Sequence, residues 1–163
     1  MELSQILEEV NEHYGKAIFV LDSQNSCRAS VGDGLVVELL NLPEVDRVIF
    51  YSALGAEPQE GRDRVYRLMM RAQYMFRATA GATFAIDEET GVIYLEKPEP
   101  LTTLTAESFV SVFETFSKIA LQWRDTLVKF MPLAGEAESH ERQAENEERM
   151  ARLRTDQEGF IVA

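Results

Sequence analysis

The sequence predicts an α+β fold: five antiparallel strands in one twisted sheet, carried with three helices in the order α-β-β-β-α-β-β-α. Two observations predict it. Apolar residues recur at helical spacing in three separated stretches, near Leu3–Tyr14, Val65–Phe76 and Phe109–Phe130. Between them lie runs of loosely alternating apolar residues joined by short turn clusters, which suit hairpins and leave no room for crossover helices.

The first helix places Leu3, Ile6, Leu7, Val10 and Tyr14 on one face, and Gly15 is a natural stop. Ala17–Leu21 reads as a short strand or an extended lead-in, followed by the polar turn Asp22–Ser26. Three strands then follow: Cys27–Val31, Leu35–Leu40 after the Gly32-Asp33-Gly34 turn, and Arg47–Leu54. Their alternation is imperfect. Ile49 and Tyr51 would oppose Val48 and Phe50, so both faces of the sheet are partly apolar and something besides water should cover the second.

The central helix begins after Pro58 and Gly61. Val65, Leu68, Met69, Ala72 and Phe76 form its core stripe. Tyr66, Met70 and Tyr74, with Gln73 beside them, lie on a flank turned away from that stripe. A helix apolar over so much of its circumference needs one partner inside the fold and one outside it. Gly81 turns the chain into a hairpin, Phe84–Ile86 and Val92–Leu95, whose loop Asp87–Gly91 has Gly91 at a positive-φ position. Pro98 and Pro100 should end the second strand. The last helix, with Thr105 as N-cap, carries Phe109, Phe113, Phe116 and Trp123 on its core face, and Pro132 and Gly135 should stop it. The expected organisation is therefore a domain over residues 1–133 and a charged tail over 134–163, helical or disordered and outside the core.

Composition narrows the function classes. The 163 residues include 28 acidic and 16 basic side chains, a net charge of −12, which repels phosphate backbones and anionic lipid and disfavours nucleic acid as a partner. No apolar run approaches membrane-spanning length and the N-terminus lacks a signal-peptide pattern, so the expectation is no membrane insertion and a cytoplasmic location. The single cysteine, Cys27, excludes an intrachain disulfide and a multi-cysteine metal site. His13 and His140 sit near opposite ends without a nucleophile or a metal-spaced second ligand. Asp87-Glu88-Glu89 lacks the spacing of a calcium loop, and Gly32-Asp33-Gly34 is too short and acidic to cradle a phosphate. No catalytic residue, cofactor or metal is expected.

In their order and local sequence these elements resemble the class I type III secretion chaperones, the family of the Tir and Yop effector chaperones. The likeness runs from Leu3 to Phe130. It rests on Cys27–Val31 followed by Leu35–Leu40, on Arg47–Gly55 ending in Ala53-Leu54-Gly55, and on Pro58 and Gly61 leading into the central helix. Gly81–Asp87, Thr90-Gly91, Val92–Leu95 and the Phe109–Trp123 helix complete it, while the charged tail after Pro132 departs from the pattern. The resemblance implies an acidic bacterial homodimer without enzymatic activity, paired largely through the central helix and adjoining strands. Such a dimer holds the extended N-terminal segment of a secreted effector protein. On this reading the Tyr66, Met70, Gln73 and Tyr74 flank is the dimer interface, and Leu3, Ile6, Val10, Ile18 and Val20 are candidates for one wall of the effector groove. The core is the rival claimant for some of them, since the first helix also reads as a cap on the core. A same-fold adaptor or regulatory domain binding a folded cytosolic partner is the alternative. A small-molecule-binding or enzymatic domain would need a pocket of convergent polar groups that the sequence does not supply.

Overall fold

The structure, a computed structural model, describes residues 2–158, with side chains up to residue 149. Helix α1 spans Leu3–Tyr14, strands β1, β2 and β3 span Ser26–Val31, Leu35–Leu42 and Arg47–Ala56, and helix α2 spans Arg62–Gln73. Strands β4 (Thr83–Ile86) and β5 (Val92–Pro100) follow, and helix α3 runs from Ala106 to Glu158. All strand pairs are antiparallel and the sheet order is β1-β2-β3-β5-β4. The predicted class and element order hold.

The termini of the helices follow local chemistry. Gln5 Oε1 accepts the Glu2 N–H at 3.2 Å at the start of α1, and Gly15 closes that helix at φ 66°. Thr105 and Ser108 cap α3 reciprocally: Thr105 Oγ1 accepts the Ser108 N–H at 3.2 Å and Ser108 Oγ accepts the Thr105 N–H at 2.9 Å. Residues 17–20 form no strand. Asn11 takes up their backbone instead, accepting the N–H groups of Ile18 and Phe19 at 2.8 and 2.9 Å and donating to the Phe19 carbonyl at 2.8 Å.

One face of the sheet buries Cys27, Ala29, Leu35, Val37, Leu39, Val48, Phe50, Leu54, Ile93 and Leu95 beneath α3, with α1 packed on α3. Phe109 sits at the centre. Its ring lies 5.2 Å from Phe50 and 5.2 Å edge-on from Phe19, which in turn meets Phe113 at 4.9 Å. Full burial of each such ring stabilises the fold by about 2–3 kcal/mol.

Three expectations about chain breaks are corrected. First, β5 continues through Pro98 and Pro100, paired to Ile49 and Arg47, because β4 pairs no further than Glu96 and leaves that side of β5 without a ladder to supply. Second, Phe76 does not join the core stripe. The helix ends at Tyr74, and Met75 and Phe76 take φ of 56° and 53°, which turns Phe76 into solvent. Third, Pro132 and Gly135 do not stop α3. Pro132 costs the helix the hydrogen bond to Val128, but both residues are exposed and water can satisfy that carbonyl. Beyond it the helix is tied down: Ala134 is buried, Glu138 accepts the Gly61 N–H, Glu141 pairs with Arg64, and Ser139 donates to Glu60 at 2.9 Å. One helix thus crosses the expected boundary at residue 133, and residues 134–149 lie against the loop that starts α2.

Gly61 is the contact on which this docking turns. It sits at φ 72°, and a Cβ there would lie 2.5 Å from the Ala134 carbonyl carbon and 2.7 Å from the Gly135 nitrogen. Neither is a flexible side-chain end, so Gly61→Ala should destabilise the protein by about 1–3 kcal/mol. Each ~1 kcal/mol lowers Tm by roughly 2–8 °C in a domain of this size. Thermal denaturation followed by circular dichroism measures it, and an unchanged Tm would mean that α3 does not seat on Gly61.

Candidate partner-binding surfaces

No cluster of chemistry forms among the described residues. No group of three or more His, Cys, Asp or Glu is placed to hold a metal ion. His13 is exposed with its ring edge-on to Tyr14, and His140 is exposed on the far part of α3. Cys27 is buried, and that burial pushes its thiol pKa up, away from reactive thiolate. Asp87 serves its own loop, accepting the Thr90 hydroxyl at 2.7 Å and the Glu89 N–H at 3.0 Å. What the molecule offers is surface.

An exposed apolar surface lies at the C-terminal end of α2. Met70 is 67% exposed, Tyr74 65%, Met75 71% and Phe76 50%. A lone exposed apolar residue is ordinary, but four large ones together mark a surface meant to be covered. Gln73 and Tyr66 are half-buried beside them and already partnered, Gln73 Oε1 accepting the Phe84 N–H at 2.7 Å and the Tyr66 hydroxyl donating to Glu57. The segment that presents this patch is pinned underneath, since Trp123 Nε1 donates to the Ala78 carbonyl at 2.7 Å.

The second face of the sheet forms another surface. Leu40, Ile49, Tyr51 and Tyr94 are half-buried there and Val36 is exposed. The Tyr51 and Tyr94 rings lie 6.2 Å apart, and the Tyr51 hydroxyl donates to Glu38 at 3.0 Å. Glu38 is held in turn by Arg28 at 3.2 Å.

The candidate wall of the effector groove divides. Leu3, Ile6 and Val10 belong to the core, each 2% exposed or less, because the whole apolar face of α1 is spent on α3 and the sheet. That part of the expectation is corrected. Ile18 is half-buried against the core, and Val20, beyond the residues that Asn11 holds, is 66% exposed. A small, mainly apolar groove of about 230 Å³ runs nearby, lined by Val10, His13, Ala106, Glu107 and Val110.

Periodicity could not reveal Met75 and Phe76 as surface, because it assumes that the helix continues. A different signal was readable: Arg64, Arg67 and Arg71 at i, i+3 and i+7 form a basic stripe on α2. It faces Glu138, Glu141 and Glu145 across a groove of about 690 Å³.

The α+β domain and the uncovered apolar surfaces at the end of α2 and on the outer sheet face are the features that the comparisons with known proteins bear on. The sequence profile of the Tir chaperone protein (CesT) family matches residues 5–124, and the chain belongs to that family. A chain of the HopA1–SchA chaperone–effector complex superposes with a TM-score of 0.64 at 15% identity, over 76% of this chain and 93% of its own. One from the ExsC–ExsE complex gives 0.63 at 21% identity, over 76% and 91%. The Yersinia pestis type III secretion chaperone SycH with a fragment of YscM2 gives 0.59 at 16% identity, over 75% and 99%. Identities this low speak for the fold. No curated protein sequence matches the chain. No described helix is long and apolar enough to cross a membrane.

Tyr51 gives the outer sheet face a measurable signature. Burial, and then its hydrogen bond to Glu38, raise its phenol pKa to about 12. A group with a raised folded pKa stabilises fully below the unfolded value near 10 and loses that contribution as pH rises toward 12. Ultraviolet titration of the folded protein should show a phenol ionising near pH 12, and Tyr51→Phe should remove that phase.

Proposed function

We propose that the protein is a type III secretion chaperone: a homodimer that binds the extended N-terminal segment of a secreted effector in the bacterial cytoplasm and keeps it soluble and competent for secretion. Membership of the Tir chaperone family over residues 5–124 carries this reading. The uncovered surfaces supply its means. Apolar anchors give an extended chain affinity, while backbone pairing at a strand edge gives register with little demand on sequence. The net charge of −12 keeps the chaperone dispersed while it holds an aggregation-prone segment. The function is binding, with no bond made or broken.

The dimer face in this reading is the flank of α2 bearing Tyr66, Met70, Gln73 and Tyr74. Met70 and Tyr74 have no place in the core of one chain, which supports their being covered by a second. Replacing both by aspartate should give monomers in sedimentation analysis with an unchanged circular dichroism spectrum, since unpaired charge buried in an interface costs several kcal/mol. A dimer that persists in that variant would place the interface elsewhere.

Effector binding is tested at Val20, the exposed member of the proposed groove wall. Val20→Asp should weaken binding of an effector N-terminal segment in titration calorimetry by at least about tenfold, the loss of ~1.4 kcal/mol of apolar contact. Dimer mass should stay the same. Ile6→Asp, by contrast, should unfold the protein, because its side chain is fully buried. Undiminished binding by the Val20 variant would move the groove away from α1.

A further inference from the structure

The outer face of the sheet, opposite α1 and α3, carries a pattern that the proposed groove wall does not use. Across the strands its side chains fall into rows. Leu40, Ile49 and Pro98 stand in one row, and Arg28, Glu38, Tyr51, Glu96 and Thr83 in the next. The first row is apolar. The second sets a tyrosine between two carboxylates, and Tyr94, two residues before Glu96 on β5, adds a second ring.

The two carboxylates differ. Glu38 is satisfied within the chain, accepting the Tyr51 hydroxyl at 3.0 Å and pairing with Arg28 at 3.2 Å. Glu96 is half-buried, and its carboxylate makes no hydrogen bond or ion pair with any described residue. Lys97, the next residue, does not serve it. Its side chain leaves the other side of the strand, pairs with Glu99 at 3.2 Å and donates to the Ala80 carbonyl at 3.2 Å. The Tyr94 hydroxyl has no hydrogen-bond partner among the described residues either.

The rings decide what the free carboxylate suits. Tyr51 and Tyr94 lie 6.2 Å apart, tilted at 54°, and each is half-buried. The face of a tyrosine ring is negative by its quadrupole and attracts a cation within about 6 Å of its centre. The Tyr51 hydrogen bond to Glu38 holds one ring in place. Arginine fits this set better than lysine, because its planar guanidinium stacks on a ring and still donates two parallel hydrogen bonds to a carboxylate.

We propose that the outer sheet face binds an arginine side chain of a partner polypeptide, its guanidinium on the Tyr51–Tyr94 pair and paired with Glu96. The apolar row adds a second requirement. Neighbouring rows lie two residues apart along each strand, about 6.6–6.8 Å, which is also the spacing of residues i and i+2 in an extended chain. A segment lying along the strands therefore sets an apolar side chain on Leu40, Ile49 and Pro98 when its arginine sits at Glu96. The ligand is an extended segment with an apolar residue and an arginine two positions apart. A chain of net charge −12 draws such a basic segment toward it. This inference deepens the proposed function and rests on it for the extended state of the partner.

Two capped pentapeptides titrated into the full chain test the site, followed by the ring resonances of Tyr51 and Tyr94. One carries leucine and arginine two positions apart, and in the other citrulline replaces arginine, which removes the charge and keeps the shape. The arginine peptide should bind saturably, with Kd on the order of millimolar, and the citrulline peptide at least about fivefold more weakly. Glu96→Gln and Tyr94→Leu should each weaken the arginine peptide by about fivefold or more, and added salt should weaken it too. Moving the leucine next to the arginine should also lower affinity, and no change there would overturn the spacing. Absence of saturable binding, equal affinity for the two peptides, or undiminished binding to the Glu96 variant would overturn the arginine site. If the site fails while Val20→Asp still weakens an effector segment, the chaperone reading stands. If no extended segment binds at either place, both fall.

Discussion

The fold depends on the seat of Phe109 between the sheet and α1. Phe109 touches Phe50 on the central strand and Phe19 on the segment that follows α1, and through them it joins three parts of the chain. Rings at these separations interact by edge and face, so they fix orientation as well as bury area. With α3 anchored there, its register along the sheet is set. The position of everything further along, Trp123 under the α2 loop and Ala134 against Gly61, follows from that register.

The surfaces are a consequence of how much this core uses. The inner face of the sheet and the apolar face of α1 are consumed in holding α3. Large apolar residues are left over on the outer sheet face, at the end of α2, at Val20, and at Val128 and Leu133 on α3. A chain that had only to fold would have polar residues there. Their exposure, in a member of the Tir chaperone family, is what turns a folding argument into a binding one.

The core and the element order were legible because they rest on periodicity, which survives without any knowledge of tertiary contacts. The five strands (apart from the end of β5), the α1 stop at Gly15, the Thr105 cap and the Gly91 turn follow from residue types acting over a few positions. The misreadings arose where the tertiary setting or the local backbone departed from what residue type and spacing imply. Pro132 ends a helix unless something beyond it holds the chain, and Gly61, Arg64 and Glu60 do so from more than 70 residues away. Phe76 fits the α2 stripe by spacing, yet the helix breaks two residues earlier. Leu3, Ile6 and Val10 were legible as an apolar face, but whether such a face meets the core or a partner is decided by what packs opposite. Asn11 reads as one more polar residue in a helix, and only the fold shows that it organises the next segment.

The hydrogen bond from Phe84 to Gln73 bears on the solution behaviour of the protein. β4 is an edge strand, and an open edge is a template on which other chains can add and polymerise. Here the edge is four residues long and a side-chain amide already occupies the Phe84 N–H. Little regular ladder is left to extend. A protein with this much apolar surface is thereby made a poor seed for sheet-to-sheet aggregation from that side, and of the two sheet edges it is β1 that keeps a regular ladder free.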